Sequence, residues 1–100
     1  IRTASKRYHE LPFTYQVTGR AKNGKIDVLY QDQAGWHILD FKTDKIDLSA
    51  HRAELLAKYA PQVRQYQHAV RALLGVEADI SICFLDDHGV IKLVDIQTFT

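Results

Sequence analysis

The sequence has one cysteine, Cys83, and no methionine. A lone cysteine excludes an internal disulfide, so the fold must rest on its core, and a reducing compartment suits it. No apolar run approaches the ~20 residues of a membrane span, and no signal peptide is visible at the N-terminus. No Gly-rich phosphate loop is present, which argues against ATP binding by this stretch. Neither charge sign dominates: 13 Lys+Arg stand against 12 Asp+Glu, a net charge of +1. What is present suits one small globular domain: 100 residues, 46% of them hydrophobic and 10% aromatic, a composition that excludes disorder. A chain without methionine that starts at Ile1 is expected to be a piece of a longer polypeptide.

The balanced charge conceals an asymmetry. Residues 1 to 25 hold Arg2, Lys6, Arg7, Arg20, Lys22 and Lys25 against Glu10 alone. The remainder is acidic, with 7 basic residues against 11 acidic ones. A basic arm beside an acidic body suits an anionic partner met next to a cation site; the plainer reading is a solvated N-terminal edge.

Period-two alternation of Leu11, Phe13, Tyr15 and Val17 predicts a first strand. Ala21-Lys22-Asn23-Gly24 reads as a turn, since Asn-Gly accepts positive φ at little cost. Strands follow over Ile26 to Tyr30 and Trp36 to Phe41, separated by an Asp32-Gln33-Ala34-Gly35 turn, and the short connections predict an antiparallel meander. Asp44 to Ser49 is polar and mixed and reads as a loop. Helical spacing runs from about Ala50 to Leu74; Pro61 inside it predicts a short helix to about Tyr59 and a main helix from Pro61. Gly75 is a natural stop. Ala78 to Leu85 and Val90 to Ile96 read as closing strands around an Asp86-Asp87-His88-Gly89 turn. The predicted order is βββ-α-ββ.

The third strand carries the chemistry. In Trp36-His37-Ile38-Leu39-Asp40-Phe41-Lys42, alternation puts Asp40 and Lys42 on one face and His37 on the other. An isolated Asp-x-Lys is common and is usually an edge ion pair. Asp27 alters that reading. It lies among apolar neighbours on the preceding strand, and a turn centred on Gln33-Ala34 places it opposite Asp40. Cross-strand partners stand ~5 Å apart at Cβ, where two carboxylates repel unless a cation lies between them. Hard cations such as Mg²⁺ take carboxylate oxygens. A carboxylate-held Mg²⁺ with a lysine beside it suits phosphodiester hydrolysis, the lysine orienting a water or stabilising transition-state charge. The other candidates stay structural: His51, His68 and His88 fall on helix or turn surfaces, Cys83 reads as a small core residue, and Trp36 reads as packing.

Four motifs in order resemble the PD-(D/E)xK nuclease superfamily, in its RecB-like branch: Glu10-Leu11-Pro12-Phe13, Gly24-Lys25-Ile26-Asp27, Ile38-Leu39-Asp40-Phe41-Lys42-Thr43, and Gln62-Val63-Arg64-Gln65-Tyr66, with Tyr59 three residues before Gln62. Phe41 stands where that branch usually has Tyr. The resemblance, from Glu10 to about Ile96, includes the C-terminal nuclease domains of RecBCD- and AddAB-type helicase-nucleases. It implies an α/β (α+β) restriction-endonuclease-like core: a mixed sheet with a main helix packed on it. It implies Asp27, Asp40 and the backbone carbonyl of Phe41 as ligands of Mg²⁺ or Mn²⁺. Lys42 would be the catalytic lysine, and Gln62 and Tyr66 helpers near DNA or the metal-bound water, though Tyr66 could equally, and Gln62 less readily, pack the helix on the sheet. Glu10 is a further candidate, which either approaches the site or opens the strand. Arg20, Lys22 and Lys25 would guide the DNA backbone.

The implied activity is a Mg²⁺-dependent deoxyribonuclease, with exonuclease action expected, acting in double-strand-break repair and DNA end processing. A helicase domain of the same parent chain is implied together with a partner subunit, in a bacterial cytoplasm at the nucleoid and without a membrane. The branch also carries a helix with a metal-ligand His before the first strand, which the nine residues ahead of Glu10 do not supply. The 100 residues are thus expected to be a single, truncated nuclease domain that binds metal weakly and cleaves poorly or not at all. Two rival readings keep the fold without cleavage: a DNA-binding module, and a structural docking module of a repair complex.

Overall fold

A computed structural model describes residues 6–96; Arg2 of the basic arm lies outside the described residues. Five strands and one helix follow in the order β1 (Lys6–Val17), β2 (Arg20–Asp32), β3 (Gly35–Ile46), α1 (Ser49–Leu74), β4 (Ala78–Asp87) and β5 (Val90–Ile96). They form one sheet with strand order β1-β2-β3-β4-β5. The first three strands are antiparallel, β4 joins β3 in parallel after the helical crossover, and β5 returns antiparallel. A parallel neighbour needs such a crossover, and α1 supplies it. This is the expected α+β, restriction-endonuclease-like architecture.

The core lies between α1 and one sheet face. Leu55, Val63, Tyr66, Ala69 and Val70 of the helix cluster with Leu29, Ile38, Ile80, Ile82 and Phe84 of the sheet. The spacing of the helical set is the apolar stripe expected of a helix laid on a sheet. Two polar ties fix its axis: Gln67 Nε2 donates to the Ala78 carbonyl at 2.7 Å, and Arg52 Nη1 meets buried Asp87 Oδ2 at 3.0 Å. Asp87 also holds His88, whose backbone N–H donates to the Ile46 carbonyl at 2.7 Å. The start of α1 is thereby tied to the ends of β3 and β4. Among the described residues no helix is long and apolar enough to cross a membrane.

Four details correct the sequence expectations. The first hairpin turns at Thr18-Gly19, not at Ala21–Gly24: both turn residues have positive φ, 47° and 77°, as a two-residue primed turn requires, and Val17 pairs with Arg20. Asn23 and Gly24 lie inside β2, where Gly24 faces the ring of Phe13, so space rather than φ explains the glycine. The segment read as a loop from Asp44 belongs to β3 as far as Ile46, paired with β4 across a bulge between Lys42 and Lys45. Finally, α1 is one helix of 26 residues with Pro61 inside. Pro61 removes the bond to the Ala57 carbonyl, but both residues are exposed, so water can take that carbonyl while the buried stripe holds the helix continuous. Gly75 ends it as expected, with φ 70° and its N–H on the Arg71 carbonyl at 3.0 Å.

Candidate active site

The site forms where two strands part. The β2–β3 ladder runs from Asp32↔Gly35 to Val28↔Leu39, the register that places Asp27 opposite Asp40. Beyond that rung Asp27 Oδ2 accepts the Phe41 N–H at 2.9 Å. A side-chain carboxylate thus replaces the carbonyl that a continuing ladder would offer, and satisfies a donor that would otherwise be orphaned. Asp27 is thereby turned toward β3.

Asp40 is buried, 2% exposed. Burial raises its pKa, Lys42 opposes the rise, and the charge and hydrogen bonding of Asp27 add to it. Lys42 Nζ lies 2.9 Å from Asp40 Oδ2 as an ion pair, and beyond this ammonium the buried oxygen has no hydrogen-bond partner among the described residues. The ammonium donates to Gln62 Oε1 at 2.8 Å, 20 residues along the chain. It also sits over the ring of Tyr59, 4.3 Å from the centroid. Tyr66 is buried and meets Phe13 edge-on at 5.6 Å. Its phenol pKa is raised by burial and then by the charges of Asp40 and Asp27, which places the hydroxyl within their field.

Asp27, Asp40, Lys42 and Gln62 therefore meet at one place, with the Phe41 peptide joined through its N–H and Tyr66 adjoining. Glu10 does not join them. It sits at φ 49°, and its exposed carboxylate lies 3.4 Å from Lys25 Nζ. Arg20 and Lys22 are exposed beside the hairpin turn, and Lys25 is exposed farther along β2. His37 lies on the reverse face, stacked on Tyr30 at 4.8 Å and bonded through Nε2 to Asp32 at 2.8 Å. Cys83 is buried in the sheet, which raises its thiol pKa.

Sequence reading missed Asp44. It accepts the Tyr59 hydroxyl at 2.9 and 3.1 Å, and that bond raises the pKa of the phenol. The alternation Asp40, Lys42, Asp44 was the available signal, obscured by the polar composition of the segment.

The cluster has a donor set suited to a hard cation. The Asp27 and Asp40 carboxylates are close enough to interact, and the buried Asp40 Oδ2 meets the Lys42 ammonium but no other hydrogen-bond partner among the described residues, leaving it open to a ligand role. Among the described residues no three His, Cys, Asp or Glu side chains come together. Two carboxylates match a cation such as Mg²⁺, which keeps several of its waters.

Comparison with known proteins agrees with this geometry. The model of the PD-(D/E)XK nuclease superfamily matches residues 3–97. An ATP-dependent helicase/nuclease subunit of Lysinibacillus sphaericus is 33% identical over 90 residues, covering 79% of this chain and 7% of that protein. The subunits of the same name from Heliobacterium modesticaldum and Exiguobacterium sibiricum are each 30% identical, over 85% and 73% of this chain and 7% and 8% of theirs. The chain thus spans less than a tenth of the relatives it matches. Because the family match runs through every strand and the helix that carry the carboxylates and the lysine, this chain belongs to the PD-(D/E)XK nuclease superfamily.

Proposed function

We propose that this chain is the phosphodiester-cleaving part of a metal-dependent DNA nuclease of the RecB-like kind. The observation that supports it most is the meeting of Asp27, Asp40 and Lys42 where the β2–β3 ladder ends. Asp27 and Asp40 would hold Mg²⁺ or Mn²⁺, with the Phe41 backbone carbonyl as a further oxygen. When bound, the cation neutralises charge on the phosphodiester and makes water a better nucleophile. Lys42, held by Gln62, places its ammonium beside Asp40, where it would orient the attacking water or stabilise charge gathering on the phosphate. Tyr66 lines the site next to both carboxylates. The basic residues Arg20, Lys22 and Lys25 guide the DNA backbone.

The relatives' shared name supports a parent polypeptide with a helicase domain. In that parent the module acts as an exonuclease in DNA end processing and double-strand-break repair beside a partner subunit, in the bacterial cytoplasm. The test incubates labelled single- and double-stranded DNA with the protein in Mg²⁺ or EDTA, beside Asp40→Ala and Lys42→Ala. Metal-dependent cleavage lost in both variants is the expected result; no cleavage under any of these conditions, even by the longer parent polypeptide that contains this chain, would sink the reading. A second reading, a DNA-binding module that has kept the fold without cutting, draws on the absence, among the described residues, of a third metal-binding side chain beside Asp27 and Asp40. DNA binding without cleavage that survives both substitutions is its signature.

A further inference from the structure

A lysine carries its charge on a flexible four-carbon stem, and a catalytic role requires that freedom to be removed. Three groups surround the ammonium of Lys42. Asp40 Oδ2 is 2.9 Å away, Gln62 Oε1 is 2.8 Å away, and the Tyr59 ring lies with its centroid at 4.3 Å. The ring presents its negative π face to the cation. Lys58 also approaches this ring, but at 5.3 Å. Tyr59 and Gln62 are three residues apart on α1 and share a helix face, so one element brings both to the lysine.

The ring is itself held in place. Tyr59 Oη donates to both carboxylate oxygens of Asp44, at 2.9 and 3.1 Å. Asp44 lies two residues beyond Lys42 on β3, in the bulge between Lys42 and Lys45. Bulges re-aim side chains beside active sites. The strand that carries the lysine therefore also carries the group that fixes the ring over it.

We propose that Tyr59 and Asp44 are positioning residues for Lys42: the Tyr59 ring confines the ammonium beside the Asp40 carboxylate, and Asp44 fixes the ring. Neither touches the reacting atoms. The inference rests on the nuclease reading, because that reading gives Lys42 its task.

The test measures steady-state cleavage of labelled duplex DNA in Mg²⁺ by the intact polypeptide that contains this chain, with thermal melts of every variant. Tyr59→Leu removes ring and hydroxyl, and lowers kcat about tenfold with KM for DNA changed by no more than about twofold. Tyr59→Phe keeps the ring and recovers most of that loss. Asp44→Ala lowers kcat in the wild-type background and adds nothing to Tyr59→Phe, because Asp44 acts only through the phenol. Wild-type kcat in Tyr59→Leu, with Lys42→Ala inactive, overturns this inference and leaves the nuclease reading standing. So does a Tyr59→Phe as impaired as Tyr59→Leu with an equally lowered Tm, which marks a merely structural tyrosine. A wild type without metal-dependent cleavage overturns both.

Discussion

Asp27 Oδ2 accepts the Phe41 N–H at 2.9 Å, at the point where β2 and β3 cease to pair. The carboxylate thus has a structural task beside its proposed one, and two substitutions separate them. Asp27→Asn keeps an oxygen for the Phe41 N–H and removes the charge, so cleavage is lost while stability stays within about 0.5 kcal/mol of wild type. Asp27→Ala also leaves the N–H unpaired and costs a further ~1–3 kcal/mol. Denaturant melts alongside cleavage assays check both; equal stability of the two variants counts against the hydrogen bond.

The raised pKa of Asp40 makes a prediction about pH. Burial, the first cause, favours the neutral acid in the folded state. A folded pKa above the unfolded one adds stability that is fully present below the unfolded carboxylate pKa and is lost as pH rises through the folded value. In EDTA, Asp40→Asn therefore has the higher Tm at neutral pH, and its advantage shrinks as the pH falls into the acid range. Cation binding runs the other way, because the ligand must be ionised. The rise in Tm caused by Mg²⁺ fades on acidification at a higher pH than an ordinary Asp would give. Melts in EDTA and in Mg²⁺ from about pH 4 to about pH 8 read both effects.

Gly24 has a steric role. A Cβ there would fall 2.7 Å from Cε2 of Phe13, and closer still to its Cζ. The ring cannot readily retreat, since Tyr15 and Tyr66 pack on it at 5.9 and 5.6 Å. Gly24→Ala is expected to cost about 1–3 kcal/mol despite the better strand propensity of Ala. In a Phe13→Leu background the added cost of Gly24→Ala falls, and a double-mutant cycle measures the coupling. Strict additivity would remove the ring from the explanation.

The β1–β2 hairpin bears on DNA affinity through salt. If Arg20 and Lys22 each meet one phosphate, replacing both with Ala lowers the slope of log affinity against log salt by about 1.8 on duplex DNA and about 1.4 on single strands. The loss is uniform across sequences, because such contacts carry no base information. Lys25→Ala has a smaller effect, since Glu10 lies 3.4 Å from its ammonium. Binding titrations at several salt concentrations provide the slopes; an unchanged slope in the double variant excludes the hairpin from the contact.

Much of this arrangement was legible from local pattern. The alternation in β3 put Asp40 and Lys42 on one face and His37 on the other, and the position of the Gln33-Ala34 turn set the register that faces Asp27 toward Asp40. Two expectations failed because a local rule met a tertiary requirement. Asn23-Gly24 has turn chemistry, but the glycine was needed to seat Phe13. Pro61 has the chemistry of a helix break, yet the Ala57 carbonyl it frees is exposed and the apolar stripe on the other side holds. Asp44 went unseen because its polar segment looked like a loop, and only pairing with β4 made it strand.

The sequence by itself determined the order of elements, the parity of side chains along each strand and the oxygen-rich character of the site. These follow from covalent geometry, which acts over two to four residues. The tertiary structure alone decided that β4 would lie parallel beside β3, that Asp27 would satisfy a peptide of the next strand, and that Gln62 and Tyr59 would come down on Lys42. Those meetings join residues 14 to 20 positions apart or more. The contacts of Gln62 and Tyr59 with Lys42 depend on where the core sets the axis of α1, which is a matter of packing against Ile38, Ile80 and Ile82 rather than of any local preference.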